Sequence, residues 1–211
     1  MSKKILFPEI KNICDKLVSE FGEIPSFRKE LLKNISRYIF EKHKSGQPVS
    51  LVYVCTHNSR RSHFGQIWAA VAATYFGVRN VETFSGGTET TAFNINAINS
   101  LKRMGFEVIS DNQSDNPVYK VRYGEGKFTT CFSKVYNHTA NPAKSFAAIM
   151  TCSDAEENCP FIPGVELRVG TAYDDPKAFD NTNLRDQKYD ERSRQIAIET
   201  LFVFSQIEHM S

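Results

Sequence analysis

Residues 51–62 read Leu-Val-Tyr-Val-Cys-Thr-His-Asn-Ser-Arg-Arg-Ser, and this stretch decides the fold class of the chain. Its apolar half has the length of a β-strand and ends at Cys55, and residues 62–76 are predicted to form a helix that begins close to Arg60. A strand, a short loop and a helix N-terminus together make an anion site, because unpaired backbone N–H groups converge there under the helix dipole. The sequence therefore predicts that an anion binds between this strand and this helix.

Two side chains make the predicted anion site reactive. Cys55 stands at its mouth, and Arg61 follows six positions later. The helix dipole, the backbone amides and the guanidinium all favour the thiolate, so we expect Cys55 to be deprotonated and nucleophilic. The planar fork of Arg61 is suited to two oxygens of a tetrahedral oxyanion. The alternative interpretation is a buried cysteine at a strand end and an unrelated surface arginine, since this offset also arises by chance.

The composition is that of a globular protein, since 41% of the 211 residues are hydrophobic and 24% are charged. The formal net charge of +2 gives no reason to expect binding to nucleic acid or to an anionic membrane surface. No apolar run is long enough to span a bilayer, and the N-terminus lacks a hydrophobic segment of the length that secretion requires. We therefore expect a cytoplasmic protein whose five cysteines are thiols rather than structural disulfides.

Residues 1–49 are predicted to form a helical extension in front of the main domain, residues 50–211. Apolar side chains recur at helical spacing over residues 10–21, and Cys14 lies on the same stripe, which makes it a predicted core residue. Ser26 is the expected N-cap of a second amphipathic helix. Two such helices are expected to dock on the main domain or on a partner.

The main domain alternates predicted strands and helices. The strands are predicted at residues 50–54, 81–85, 146–151 and 165–169, and the helices at residues 62–76, 94–104 and 185–207. This alternation predicts an α/β fold with a four-stranded parallel sheet and helices on both faces. In such a sheet a ligand binds at the carboxyl ends of the strands, which is where Cys55 lies.

Residues 117–137 depart from this alternation. Polar and apolar side chains alternate on both sides of Gly124-Glu-Gly, which predicts a β-hairpin inserted into the domain. Its charged and aromatic side chains suit an edge, a lid or a contact surface, and a structural edge is the simplest of these. Cys131 falls within the hairpin and has no obvious partner in the sequence.

Asp175, which precedes Pro176, is the second candidate for catalysis. A nucleophile that attacks a tetrahedral oxyanion needs an acid to protonate the departing oxygen. The loop after the last predicted strand opens at the same sheet edge as Cys55, so a carboxyl group there is within reach. The alternative is an ordinary Asp-Pro turn, which is common in loops.

Two further cysteines follow the third predicted strand, in the run Cys152-Ser-Asp-Ala-Glu-Glu-Asn-Cys159-Pro. Zinc is one interpretation of two clustered thiols, but structural zinc sites generally use shorter cysteine spacings and four ligands, and no second pair of ligands stands out. Two incidental thiols are another interpretation, which their position after a core strand disfavours.

Together these residues resemble the low-molecular-weight protein tyrosine phosphatases and their relatives, the thioredoxin-coupled arsenate reductases. The resemblance covers roughly residues 50–207, with the Cys55 loop, the strand before Cys152, Cys159 and the Asp-Pro loop in the same order. It implies a flavodoxin-like sheet and makes Asp175 the general acid, accompanied by Asp174 as in the reductases. The two cysteines of the third strand favour the reductase branch over the phosphatases.

The resemblance also implies which residues bind the oxyanion. They are the seven residues of the loop after the nucleophile: Thr56, His57, Asn58, Ser59, Arg60, Arg61 and Ser62. Asn58 would stabilise the loop through hydrogen bonds from its side chain to the backbone, and Ser62 would hydrogen-bond to the thiolate. Two positions depart from the family pattern. Arg60 stands where a small residue or cysteine is more usual, and His57 stands where many relatives have glycine.

The reaction that the resemblance implies needs no metal or other cofactor. Cys55 attacks arsenate while Asp175 protonates the leaving oxygen, and Cys152 then attacks Cys55 and releases arsenite. Cys159 resolves that disulfide, and thioredoxin reduces the resulting disulfide between Cys152 and Cys159. Two alternatives stay open. One is a phosphatase acting on phosphotyrosine or a small phosphate monoester through Cys55, Arg61 and Asp175. The other is a non-catalytic module that binds an oxyanion or a phosphoprotein. The oligomeric state is not predicted.

Overall fold

The computed structural model describes residues 5–110, 113–158, 161–207 and 210. Its helices and strands are α1 (Pro8–Ser19), α2 (Ser26–Lys44), β1 (Val49–Cys55), α3 (Arg61–Tyr75), β2 (Val81–Gly87), α4 (Ile95–Arg103), β3 (Glu107–Ser110), β4 (Tyr119–Gly124), β5 (Lys127–Cys131), β6 (Phe146–Met150), α5 (Ser153–Asn158), β7 (Val165–Gly170) and α6 (Arg185–Ser205). Short 3-10 turns lie at Phe21–Glu23 and Pro176–Phe179. None of the helices in the described residues is long and apolar enough to cross a membrane.

Four parallel strands form the central sheet, in the order β2-β1-β6-β7. Every residue of β1 is buried, as expected of an inner strand of a parallel sheet with both faces covered. From Leu51 to Val54 the side chains of β1 alternate between two cores. Leu51 and Tyr53 belong to the larger core, whereas Val52 and Val54 belong to a smaller core that also contains Cys55 and Cys152. The predicted four-stranded parallel sheet with helices on both faces is confirmed.

The predicted hairpin is part of a second, antiparallel sheet with the order β3-β4-β5. Strand β3 was not predicted, because only Val108 and Ile109 are apolar in its four residues and most of the strand is exposed. Strand β5 ends at Cys131 instead of continuing to Tyr136. The following residues leave the hairpin and return to the central sheet, where Val135 forms an isolated bridge with Gly87.

The helical extension packs against the main domain. Buried side chains of α1 and α2 join the larger core together with α3 and α6. Ser36 of α2 donates a hydrogen bond to the carbonyl oxygen of Val203 in α6, over 2.9 Å. Cys14 is fully buried, as predicted for a core residue. The expected N-cap was wrong by one position. Ser26 is the first residue of α2, and the N-cap is the extended Pro25, whose carbonyl oxygen accepts from the amides of residues 28 and 29.

Candidate active site

Cys55 is the last residue of β1, and a five-residue loop connects it to α3. The carbonyl oxygens of this loop accept hydrogen bonds on its outer side. Backbone amides of residues 88, 89 and 94 donate to the carbonyls of Cys55, Thr56 and Ser59, and the Ser133 hydroxyl donates to that of His57. In a planar trans peptide the carbonyl and the next N–H point in opposite directions. The N–H groups of residues 56, 57, 58 and 60 therefore face the inside of the loop.

A chain of hydrogen bonds leads from the loop to the Cys55 sulfur. Asn58 is fully buried, and its φ of 44° lies in the left-handed region that asparagine tolerates. Its Oδ1 accepts from the backbone N–H of Lys134 over 2.9 Å, and its Nδ2 donates to Ser62 Oγ over 2.8 Å. Ser62 Oγ lies 3.1 Å from Cys55 Sγ. Because the serine oxygen already accepts from Asn58, its own hydrogen is available to the sulfur.

The loop after β2 packs closely behind the anion loop. A Cβ on Gly87 would lie 2.6 Å from the carbonyl oxygen of Thr56 and 2.7 Å from the backbone nitrogen of Asn58, so no larger residue fits without displacing the loop. The Gly87 amide donates to the carbonyl of Lys134 over 2.9 Å. Residues 133 and 134 thus support the anion loop from the segment after the hairpin. No motif in the sequence marks them for this role.

Arg61 connects the anion loop to the Asp-Pro loop. Its Nη1 donates to the carbonyl oxygen of Tyr173 and its Nη2 to Asp175 Oδ2, each over 2.8 Å. Asp175 Oδ1 accepts from the backbone N–H of Lys177 over 3.0 Å, which holds the carboxyl group at the start of the 3-10 turn. The Nε of Arg61 is buried and has no hydrogen-bond partner among the described residues, so it is a donor available to a bound oxyanion. Asp174 instead points outward and contacts Arg192.

The side chain of Arg60 has different hydrogen-bond partners from that of Arg61, although its Nε also lies 3.9 Å from Asp175 Oδ1. Its Nε donates to the Tyr189 hydroxyl over 2.8 Å, and its Nη2 lies 3.5 Å from Asp180 Oδ2. Burial, followed by the hydrogen bond to Asp180, raises the pKa of Tyr189 to about 12, so this hydroxyl remains protonated. Arg60 therefore offers the anion loop its backbone N–H, while its guanidinium contacts Tyr189 of α6, Asp180 and, at a longer distance, Asp175.

The remaining side chains of the loop point to its rim. His57 is partly exposed, and its Nδ1 lies 3.1 Å from Glu89 Oε2. Ser59 Oγ donates to the carbonyl of Ala92 over 2.7 Å. Thr56 Oγ1 donates to Asp154 Oδ2 over 2.7 Å and lies 3.5 Å from Cys152 Sγ. The second thiol is thus in contact with the first residue of the anion loop.

The cysteines differ in their surroundings. Burial raises the pKa values of Cys14 and Cys131 to about 12, which keeps both as thiols at neutral pH. Cys55 and Cys152 share the smaller core, and the Ala155 N–H donates to Cys152 Sγ over 3.3 Å. Cys159 lies outside the described residues. The structure therefore brings Cys55, Arg61, Asp175 and Cys152 to one edge of the sheet.

No protein-family model matches the chain. Two curated relatives are arsenate reductases. The one from Staphylococcus aureus (strain Newman) is 26% identical over 130 residues, which are 60% of this chain and 78% of the relative. The one from Brevibacillus brevis (strain 47) is 29% identical over 127 residues, which are 60% of this chain and 76% of the relative. These matches establish a relationship in sequence over the larger part of the relatives' length.

Solved structures share the fold at low sequence identity. A low-molecular-weight phosphotyrosine phosphatase from Vibrio cholerae O395 matches with a TM-score of 0.52 and 12% identity, over 77% of this chain and 99% of that chain. A mutant of YwlE from Bacillus subtilis matches with a TM-score of 0.52 and 11% identity, over 76% and 99% of the two chains. The parallel sheet and its helices are therefore those of a known fold, to which the remainder of this chain is added.

Proposed function

We propose that the chain belongs to the low-molecular-weight protein tyrosine phosphatase superfamily and that within it the chain is an arsenate reductase working through a thiol relay. The observation that supports the reductase over a phosphatase is the position of Cys152. Its sulfur contacts Thr56 in the anion loop and shares a core with Cys55. A phosphatase needs one nucleophilic cysteine, whereas a thiol relay needs a second thiol beside the first.

The first step of the proposed reaction forms a sulfur–arsenic bond. The Cys55 thiolate attacks arsenate that is held by the loop amides and the Arg61 guanidinium. Asp175 gives a proton to the leaving oxygen, which departs as water. Fixed donors aimed at the developing charge stabilise it without reorganising, which is usually a large contribution to catalysis. Ser62 stabilises the thiolate before the attack, because its hydroxyl is within hydrogen-bond distance of the sulfur.

The second step reduces the arsenic. The Cys152 thiolate attacks Cys55 Sγ, a disulfide forms, the sulfur–arsenic bond breaks, and its electron pair remains on arsenic as arsenite leaves. Cys159 then attacks Cys152, and the Cys55 thiolate is regenerated. The dithiol of thioredoxin reduces the disulfide between Cys152 and Cys159, so each arsenate consumes two electrons. The relay requires a reducing compartment, and we propose the cytoplasm.

The test is arsenate-dependent NADPH oxidation by the purified protein with thioredoxin and thioredoxin reductase. We expect turnover that Cys55→Ser and Cys152→Ser both abolish. Cys14→Ala is the matched control, because Cys14 is buried in the extension and kept as a thiol. Asp175→Asn should slow the chemical step by roughly a hundredfold to ten-thousandfold, the usual contribution of a general acid.

A phosphatase is the second candidate, because the solved structures that share the fold include a phosphotyrosine phosphatase. It would use Cys55, Arg61 and Asp175 without the other two thiols. Hydrolysis of aryl phosphates that survives Cys152→Ser, together with no arsenate-dependent NADPH oxidation, would establish this alternative. Phosphate binding without turnover of either substrate would instead indicate a binding module.

A further inference from the structure

One arginine of the helical extension reaches the segment that carries Asp175. Arg28 lies in the first turn of α2, and only 12% of its side chain is exposed. Its Nη2 donates to the carbonyl oxygen of Thr171 over 2.9 Å, and its Nε donates to Glu199 Oε2 over 2.9 Å. Its guanidinium carbon also lies 4.9 Å from the centre of the Tyr173 ring. Arg28 therefore contacts the chain just after β7 in two places.

Glu199 provides a third connection, because it binds both Arg28 and Tyr173. Its carboxylate in α6 is 5% exposed, and its Oε2 accepts from the Tyr173 hydroxyl over 2.8 Å as well as from Arg28. A buried carboxylate requires such partners, because an unpaired charge in the interior is strongly destabilising. The Tyr173 side chain is consequently fixed between α2 and α6.

The backbone of Tyr173 leads from this buried pair to the reactive groups. Its carbonyl oxygen accepts from Arg61 Nη1, and Asp175, two residues later, accepts from Arg61 Nη2. The segment is thus held both by the pair of Arg28 and Glu199 and by Arg61. A displacement of about 1 Å can reduce a rate by about a hundredfold, so the position of this segment is significant for catalysis.

We propose that Arg28 is a positioning residue for the acid step, so that the helical extension is a working part of the active site. Arg28 touches no reacting atom. It fixes Thr171 and Tyr173, and through them it holds Asp175 at the distance from Cys55 that proton transfer requires. This inference rests on the proposed function, because it presupposes that Asp175 protonates a leaving oxygen.

The variant that tests this role is Arg28→Lys. Lysine keeps a charge for Glu199, so the buried carboxylate is not left unpaired, but a single ammonium cannot reproduce the fork that reaches Thr171 and Glu199 together. We expect kcat for phenyl phosphate and for arsenate to fall by about tenfold to a hundredfold, with little change in KM. For p-nitrophenyl phosphate, whose leaving oxygen needs little protonation, we expect a loss of less than about threefold.

Lys42→Met is the matched control. Lys42 lies in the same helix and pairs with Glu166 of β7 over 2.8 Å, but it does not contact residues 171–175. This variant removes a connection between α2 and the sheet while leaving the acid segment in place. We expect its kcat for all three substrates to stay within about twofold of the wild type.

A double-variant cycle completes the test. In a protein that already carries Asp175→Asn, Arg28→Lys should lower kcat by less than about twofold, because there is no acid left to position. Equal losses for phenyl and p-nitrophenyl phosphate, or additive losses in the cycle, would overturn the positioning role while leaving the proposed function intact. A wild-type protein that turns over neither arsenate nor aryl phosphates would refute the proposed function, and this inference with it.

Discussion

At the scale of single residues, the two adjacent arginines of the anion loop have different tasks. Arg61 donates two hydrogen bonds of 2.8 Å to the Asp-Pro loop, and its Nε has no partner among the described residues. Arg60 donates to Tyr189 and pairs with Asp180, and it reaches Asp175 only at 3.9 Å. We expect Arg61→Lys to lower kcat/KM by about a hundredfold or more, since a point charge cannot replace the planar fork. Arg60→Lys should keep most of the activity. Steady-state kinetics of both variants test this prediction. An inactive Arg60→Lys together with an active Arg61→Lys would show that Arg60, not Arg61, is the arginine that binds the oxyanion.

Asn58 combines an unusual backbone conformation with a buried side chain. Two substitutions separate the contributions of the conformation and of the side-chain hydrogen bonds to activity and stability. Asn58→Gly permits the φ of 44° but removes the hydrogen bonds to Ser62 and to the Lys134 amide. Asn58→Ala removes the same bonds and adds about 1–2 kcal/mol of backbone strain. We expect both variants to lose most of their activity and Asn58→Ala to be less stable in urea. Asn80→Ala is the control, because Asn80 has a φ of 59° and is exposed. An active Asn58→Gly would show that only the backbone conformation matters.

Lys134 carries a charge that burial disfavours. Only 3% of the residue is exposed, and burial lowers the pKa of its ammonium from 10.5 to about 8. Below pH 8 the lysine is charged in both the folded and unfolded states, so the folded state bears the full cost of the buried charge. Between about pH 8 and 10.5 the folded state releases the proton first, and the cost fades.

Lys134→Met should therefore be more stable than the wild type at pH 7, and the difference should shrink as the pH rises above 8. The expected gain at pH 7 is on the order of 1–3 kcal/mol in the free energy of unfolding. Urea unfolding of both proteins from pH 7 to pH 10 measures it, and Lys127→Met, at an exposed position of the hairpin, is the control. A difference that does not change with pH would mean that the Lys134 charge is not the cause.

At the scale of elements, the sequence predicted those that carry their own local signal. The strand ending at Cys55 was recognisable because apolar side chains stop abruptly at a polar loop. Strand β3 escaped prediction because its pairing with β4, rather than its composition, makes it a strand. The roles of Ser133 and Arg28 escaped for a similar reason, since each depends on contacts with residues distant in sequence.

Helix α5 imposes a constraint on the proposed relay. It spans Ser153–Asn158 between the two cysteines, which are seven positions apart. If the helix continued to Cys159, the rise along it would separate the two α-carbons by roughly 10 Å. A disulfide tolerates no more than about 7 Å between α-carbons. On that condition the proposed disulfide requires α5 to unwind, and its short length and weak helix formers keep the free-energy cost of unwinding small.

The prediction for this element concerns amide exchange. We expect the amides of residues 153–158 to exchange at least tenfold faster in the oxidised protein than in the reduced one, because unwinding exposes them. The amides of β6 should stay protected in both states, since that strand is buried in the central sheet. Cys152→Ser, kept under the same oxidising conditions, controls for unrelated effects. Equal protection of α5 in both states would mean that Cys152 needs another partner.

At the scale of the whole molecule, the extension and the main domain share one core. Buried residues of α1 and α2 contact those of β1, α3 and α6 in a single cluster. Isolated helices of this length are marginal in water, so α1 and α2 depend on the main domain for their stability. Residues 1–49 were predicted as a separate extension, and the family resemblance does not cover them. The contacts that unite the two parts are tertiary and leave no local signal in the sequence.

A shared core predicts that the two parts unfold together, and Trp68 can report it. This single tryptophan is fully buried in α3, and its Nε1 donates to Ser193 Oγ in α6 over 3.0 Å. It also faces a cavity of about 400 Å³ that Ile13 and Leu17 of α1 help to line, so its fluorescence responds to loss of either part. We expect tryptophan fluorescence and far-UV circular dichroism to give one coincident urea transition, as in a two-state domain.

A variant in the contact between the two parts makes this test sharper. Leu17→Ala removes a side chain that is 2% exposed from the extension and should cost about 2–5 kcal/mol, the usual range for a buried leucine. If the parts are coupled, the whole transition shifts to lower urea by both probes, and the activity is lost at the same urea concentration. If the extension unfolds alone, circular dichroism shows an early partial transition. Activity measured across that early transition would then show whether residues 1–49 are needed. In that transition Arg28 would unfold with the extension, so the segment that carries Asp175 would lose its contacts with Arg28 while β1 and the anion loop stayed folded.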